Sequence, residues 1–308
     1  MRAESIRIAE EVQDALAEGR PVVALESSVL AQGLPYPHNV ESTRACAAAI
    51  RAEGAVPAVT AVIAGVPCVG LSDSDIDALI APENKALKVG ARDFAVAVAG
   101  KRYGATTVAG TCTLADAVGI RLFATGGIGG VHREAELTFD ISQDLPVIGK
   151  SRVAVVTAGA KAILDLPRTL EMLETLAVPV VGLGTNRFPA FYLNDSGLSL
   201  EHRADTPEQA AAILHARWDV LGETGGVIFA NPIDEAKAAD PALIERAIDA
   251  ALRQAKEQGI SGKATTPFLL SAVARETGGE SMKANLALLE ANAQQAARIA
   301  VAHASIHR

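Results

Sequence analysis

A chain of 308 residues, 49% hydrophobic and with a formal net charge of −8, is long enough to bury the core of one large α/β domain or two small ones. The acidic balance argues against a nucleic-acid polymer as partner, and scarce aromatics (Trp218 is the only tryptophan) argue against base-stacking platforms. Cys46, Cys68 and Cys112 show no CxxC spacing, so neither a disulfide framework nor a zinc site is indicated; no apolar run reaches membrane-spanning length without proline or charge, and the expectation is a cytoplasmic protein.

Residues 4–18 place Ile6, Ile8, Val12 and Leu16 at helical spacing, closed by Gly19. Residues 21–25 then read as a short buried strand ending on Glu26, Ser27 and Ser28. A carboxylate and two hydroxyls where a buried strand meets its loop mark the usual place for chemistry in an open α/β sheet; an ion-pairing or capping role for Glu26 is an equal alternative. A loop over 33–39 leads to an alanine-rich helix over 40–53 and an apolar strand over 58–64. Ser72 caps a helix whose opening turns carry Asp73, Asp75 and Asp77, as the helix dipole favours. Lys85 and Lys88 lie in a short segment, where a lysine is ordinarily a solvated surface charge. Residues 104–113 are small and hydroxyl-rich, suited to a ligand on the backbone or to close helix–strand packing, and precede a helix ending near Gly119.

The densest feature follows. A strand over 120–124 enters Thr125-Gly126-Gly127-Ile128-Gly129-Gly130-Val131-His132, and a carboxylate-bearing stretch through Asp140, Ser142, Gln143 and Asp144 comes after. Glycines this close let backbone N–H groups approach an anion or let a ligand lie on the main chain; a tight crossover without a ligand is the alternative. A dinucleotide fingerprint fails because His132 stands where its third glycine belongs. A phosphate loop fails at Gly149-Lys150-Ser151, which has Asp144 upstream in place of glycine, and at Gly262-Lys263, which has Glu257 upstream and Ala264 after it.

Residues 152–157 read as another buried strand, with Lys161 near the first turn of a helix beyond it. Apolar surroundings and the positive helix end both disfavour a charged amine, which is what a nucleophilic lysine requires. Strands follow over 179–183 and 225–230, the second delivering Asn231 to its loop. Helices cover 206–221, where His215 and Trp218 read as packing, then 241–258, 267–277 and 281–303, with Asn285 in the last. The alternation predicts an α/β fold: one domain over 1–308, a three-layer α/β/α sandwich with a central, mostly buried mixed sheet.

Val22-Val23-Ala24-Leu25-Glu26-Ser27, Gly54-Ala55-Val56-Pro57-Ala58, Gly104-Ala105-Thr106-Thr107-Val108, the stretch 123–132, Thr138-Phe139-Asp140-Ile141-Ser142, Ala158-Gly159-Ala160-Lys161, Ala230-Asn231-Pro232-Ile233 and Thr266-Pro267-Phe268-Leu269-Leu270 recur in a specific order. Together they resemble the pseudouridine-5′-phosphate glycosidases, a family that includes indigoidine-synthesis A-type proteins. The likeness runs from about Ser5 to the last helix, with mild departures at Ser28-Val29 and Gly110-Thr111-Cys112.

The resemblance implies an enzyme that reversibly cleaves pseudouridine 5′-phosphate to uracil and ribose 5-phosphate with a divalent cation, Mn2+ or another such as Mg2+. The bond is C–C, so uracil cannot leave by protonation of a glycosidic heteroatom; an amine that forms an iminium at C1′ supplies the electron sink. By resemblance Lys161 is that Schiff-base nucleophile, Glu26 the proton donor and Asp140 the metal ligand, with waters completing the shell. Lys88, Val108 through its backbone, and Ser142, Gln143 and Asp144 resemble substrate contacts, and His132 and Asn285 resemble residues of the same pocket. A homotrimer with small-molecule partners and no membrane is implied. Two alternatives stand beside this: a Schiff-base sugar-phosphate aldolase or isomerase that also uses Lys161, and a non-catalytic nucleotide-binding protein. Glu26, Asp140 and Lys161 at strand ends disfavour the second.

Overall fold

Apolar runs bounded by glycine or proline form strands buried on both faces, and alanine-rich stretches form the helices that cover them. The computed structural model describes residues 1–260, 262 and 265–306. Lys263 and Ala264, in the segment expected to join two helices, lie outside the described residues. The strands are β1 (Arg7–Ile8), β2 (Val22–Leu25), β3 (Val56–Ile63), β4 (Val66–Val69), β5 (Leu87–Val89), β6 (Gly104–Thr106), β7 (Leu122–Ala124), β8 (Ala154–Thr157), β9 (Val180–Leu183), β10 (His202–Ala204) and β11 (Val227–Ala230).

The fold is an α/β sandwich around a mixed sheet, as expected. β3, β2, β7, β8, β11, β9 and β10 lie side by side in that order, all parallel. β3 is shared between two parts of the sheet. Val56 to Val59 pair with β2, whereas Thr60 to Ile63 pair antiparallel with β4, and Ala61 and Val62 also pair antiparallel with β6. β1 and β5 add parallel to β4 and β6. The chain leaves β2 for β3 on one side and reaches β7 on the other, so the strand order reverses between β2 and β7. Ligands bind beyond the carboxyl ends of strands at such a switch point.

The helix Glu280–Ile306 lies against β2, β7 and β8 and against the helices His38–Ala52 and Pro207–His215. The helix Val108–Val118 packs against β2, β3, β6 and β7, and the short helix Asp144–Ile148 packs on it. Helix and strand bounds depart from expectation where pairing is non-local. Residues 4–18 do not form one helix: Arg7 and Ile8 pair with Cys68 and Val69, and the helix begins at Glu10. Thr206 caps a helix that ends at His215 and passes into a wider turn over Ala216–Val220. Trp218 is buried with its indole N–H on the Gly225 carbonyl at 2.9 Å, as packing predicts; His215 is half-exposed and meets Asp219 at 3.2 Å.

Candidate active site

The loops after β2, β7 and β8, with β5 and the helix Glu280–Ile306, enclose a cavity of about 370 Å³. Its wall includes Glu26, Lys88, Val108, His132, Asp140, Ser142, Gln143, Asp144, Lys161 and Asn285, so the fold brings together every site residue named from sequence.

Glu26 follows β2 directly and is only 8% exposed. Each carboxylate oxygen has its own hydroxyl donor: Ser28 on Oε2 and Thr125, from the end of β7, on Oε1. The two hydroxyls are the hydrogen-bond partners of its carboxylate, and the helical turn that follows has no side-chain cap from Ser28. Behind it, Ser27, Thr60, Thr106 and Thr111 are fully buried and bonded to one another: Ser27 Oγ donates to the Thr60 carbonyl at 2.6 Å and the Thr106 hydroxyl to the same carbonyl at 2.7 Å. This cluster clamps β2 to β3 and β6 where Glu26 and Val108 leave them.

Lys161 reaches the cavity from the loop after β8, and its Nζ donates to the Gly127 carbonyl at 2.6 Å. It is not at a helix start. The next helix begins at Leu166, capped by the Asp165 side chain on the Arg168 N–H, so the helix-end argument made for Lys161 does not apply. Lys161 sits in a turn pinned to the glycine stretch instead, its own N–H donating to the Ile128 carbonyl at 3.1 Å.

None of the four glycines has left-handed backbone, and Gly127, Gly129 and Gly130 are needed for space. A Cβ on Gly127 would lie 2.6 Å from the Phe191 ring, on Gly129 2.3 Å from Ser142 Oγ, and on Gly130 2.4 Å from Thr169 Oγ1. Gly126, Gly127 and Gly129 also face the cavity, so ligand access and close packing both apply there; Gly130 serves packing.

Asp144 is 6% exposed and both its carboxylate oxygens are occupied by backbone. Oδ1 accepts from Ala109 N–H at 2.8 Å and Oδ2 from Gly129 N–H at 2.9 Å. It ties the start of the helix Val108–Val118 to the glycine turn. Gln143 Oε1 accepts from Arg92 N–H at 3.3 Å, and a Cβ on Gly90 would strike its side chain at 2.1 Å. Lys88 lies in β5, opposite Ala105 of β6, rather than on an open surface.

Asp140 faces the cavity with its side chain 36% exposed, and its Oδ2 is 4.0 Å from His132 Nδ1. Burial pushes the His132 imidazole below its ordinary range; Asp140 opposes this, while Lys88 and Lys161 add to it. No group of three His, Cys, Asp or Glu side chains that could hold a metal occurs among the described residues. A lone, partly exposed carboxylate fits a hard, mostly hydrated cation, the kind of site expected for Mn2+ or Mg2+.

Sequence reasoning missed Ser28 and Thr125 as partners of Glu26, and Phe191 in the cavity wall. Thr125 carried a usable signal: it is the first residue beyond β7, level with Glu26 beyond β2 in a parallel pair.

A family model for "Indigoidine synthase A like protein" matches residues 11–302. A protein from Myxococcus xanthus named pseudouridine-5′-phosphate glycosidase is 54% identical over 299 residues, 97% of this chain and 98% of its own. One of the same name from Herpetosiphon aurantiacus is 55% identical over 295 residues, 96% and 97% of the two chains. The crystal structure of the prealnumycin C-glycosynthase AlnA in complex with ribulose 5-phosphate is similar at a TM-score of 0.89 and 42% identity, covering 98% of both chains. An indigoidine synthase A-like protein from Thermotoga maritima is similar at 0.88 and 35% identity, covering 98% of this chain and 97% of its own.

Proposed function

Because the chain belongs to the indigoidine synthase A-like family, we propose that it is an enzyme that reversibly cleaves the C–C glycosidic bond of pseudouridine 5′-phosphate, giving uracil and ribose 5-phosphate. One observation carries this reading. A buried carboxylate, Glu26, and a lysine amine, Lys161, face one cavity and are both bonded to the same three-residue segment, Thr125 to Gly127.

Glu26 delivers a proton to the ribose ring oxygen as the ring opens, with Ser28 and Thr125 fixing its carboxyl plane. The Lys161 amine leaves the Gly127 carbonyl and adds to C1′. The C1′–C5 bond then breaks, its electron pair staying on uracil, whose C5 takes up a proton, while C1′ becomes the iminium of Lys161. Water hydrolyses that iminium, releasing ribose 5-phosphate and the free amine.

Lys88 supplies a point charge for the phosphate, and the backbone at Val108 and Ser142 supplies further contacts. His132, whose charged form burial disfavours, accepts or donates a hydrogen bond to the substrate beside Asp140. Asp140 would hold a divalent cation, which would supply electrostatic stabilisation of developing oxygen charge. The test is release of uracil from pseudouridine 5′-phosphate with manganese added; no release under any divalent cation overturns the reading.

A second reading rests on the neighbour bound to ribulose 5-phosphate. Open-chain ribose 5-phosphate gives the ketose when a base takes its C2 proton and C1 regains one through the enediol, with O1 kept on C1; an imine of Lys161 at C1 would instead end as a 1-amino sugar held on the lysine. Incubation with ribose 5-phosphate alone separates the two: ketose formation without uracil release from pseudouridine 5′-phosphate favours the isomerase.

A further inference from the structure

The helix Glu280–Ile306 meets the sheet through an alanine-rich face that carries one asparagine. Asn292 is 0% exposed, among buried Ala293, Ala296 and Ala297. A carboxamide in such a place is unfavourable unless both of its ends are bonded, so packing alone gives no reason to prefer it to alanine.

Its bonds lead to the active site. Nδ2 donates to the Thr125 carbonyl at 2.8 Å, with the Gly126 carbonyl 3.5 Å away, and Oδ1 accepts from Asn231 Nδ2 at 2.9 Å. The Thr125 carbonyl can only accept, which fixes the orientation of the amide. Asn231 in turn donates its backbone N–H to the Thr157 carbonyl at 2.8 Å, at the end of the strand whose loop carries Lys161. Asn292 itself does not line the cavity; its helix does so through Asn285 and Leu289.

We propose that Asn292 is a positioning residue. Through the Thr125–Gly127 main chain it sets both the Thr125 hydroxyl that holds Glu26 and the Gly127 carbonyl that holds Lys161. This rests on the reading of Glu26 and Lys161 given above. The two groups leave different strands, and Asn292 ties their shared contact segment to the helical layer by a side-chain hydrogen bond. A displacement of about 1 Å at reacting groups is worth on the order of 10²-fold in rate.

The test is a double-mutant cycle on uracil release with Asn292→Ala, Thr125→Val and the double variant, each checked for a wild-type circular dichroism spectrum. Asn292→Ala should lower kcat by about 10–100-fold and leave KM within about threefold. Borohydride trapping of ribose 5-phosphate on Lys161 should slow in parallel. In the Thr125→Val background the same substitution should cost at least about threefold less than in wild type, because the two act through one contact. If Asn292→Ala does not fold, Asn292→Ser, which keeps a donor, takes its place in the cycle. A folded variant with wild-type kcat, or losses that multiply independently, overturns the proposal. A wild type that releases no uracil and forms no adduct overturns the reaction itself, and the positioning role with it.

Discussion

Asp144→Asn separates two roles that a cavity-lining carboxylate can have. In the resting structure both oxygens of Asp144 accept buried backbone N–H groups, from Ala109 at 2.8 Å and Gly129 at 2.9 Å. An amide of the same shape can satisfy only one. The other N–H then faces an NH2 group, so a charge-assisted bond is lost and a buried donor is left unsatisfied, together about 2–4 kcal/mol. At about 2–4 °C per kcal/mol for a large domain, the melting temperature should fall by roughly 4–16 °C without any ligand. Asp144→Ala, which removes both acceptors, should fall further. Thermal unfolding followed by circular dichroism, paired with steady-state kinetics, reads both effects. If Asp144 serves only as a direct substrate contact, KM rises and stability does not change; a melting temperature within about 1 °C of wild type refutes the structural tie.

Glu26→Gln keeps the shape, with one of the Ser28 and Thr125 hydroxyls turned from donor to acceptor, but cannot deliver a proton, and kcat for uracil release should drop about 10²–10⁴-fold. Near wild-type turnover removes Glu26 from the mechanism. Asp140→Ala should abolish any response of activity to manganese, and a chelator should inactivate the wild-type enzyme reversibly; chelated enzyme that works unchanged contradicts the metal assignment. Burial pushes the Cys46 thiol up from 9.0 to about 12, and pushes the Cys112 thiol up as well. The unfolded chain therefore loses thiol protons first as pH rises above 9.0, so stability from Cys46 is full below pH 9.0 and is lost toward about pH 12. Chemical denaturation across that range should show a shallower alkaline decline in Cys46→Ala; an unchanged slope counts against this account of Cys46.

Short-range pattern made the strand ends legible. Four consecutive buried residues before Glu26 and four before Ala158 are signals of parallel strands, and the loops after both strands line one cavity. The two-residue strand Arg7–Ile8 was not legible, because its conformation comes from pairing with Cys68 and Val69, about sixty positions away. Lys88 read as a surface lysine for the same reason: its strand exists only beside Gly104–Thr106. Lys161 was found through a helix-start argument that the fold does not honour. The Asp165 cap moves the helix start to Leu166, and Lys161 belongs to a turn stitched to the glycine stretch. Asn292 left no local trace, since an asparagine inside an alanine-rich helix acquires meaning only from a carbonyl 167 positions away.

The proposed reaction is covalent, and it is tested at Lys161. Wild-type enzyme incubated with ribose 5-phosphate and borohydride, digested and sequenced by mass spectrometry, should carry the reduced sugar-phosphate adduct on Lys161 and not on Lys88 or Lys150. Lys161→Ala should give no adduct and no uracil release while still binding the substrate. An adduct on another lysine, or full activity in the alanine variant, contradicts the mechanism.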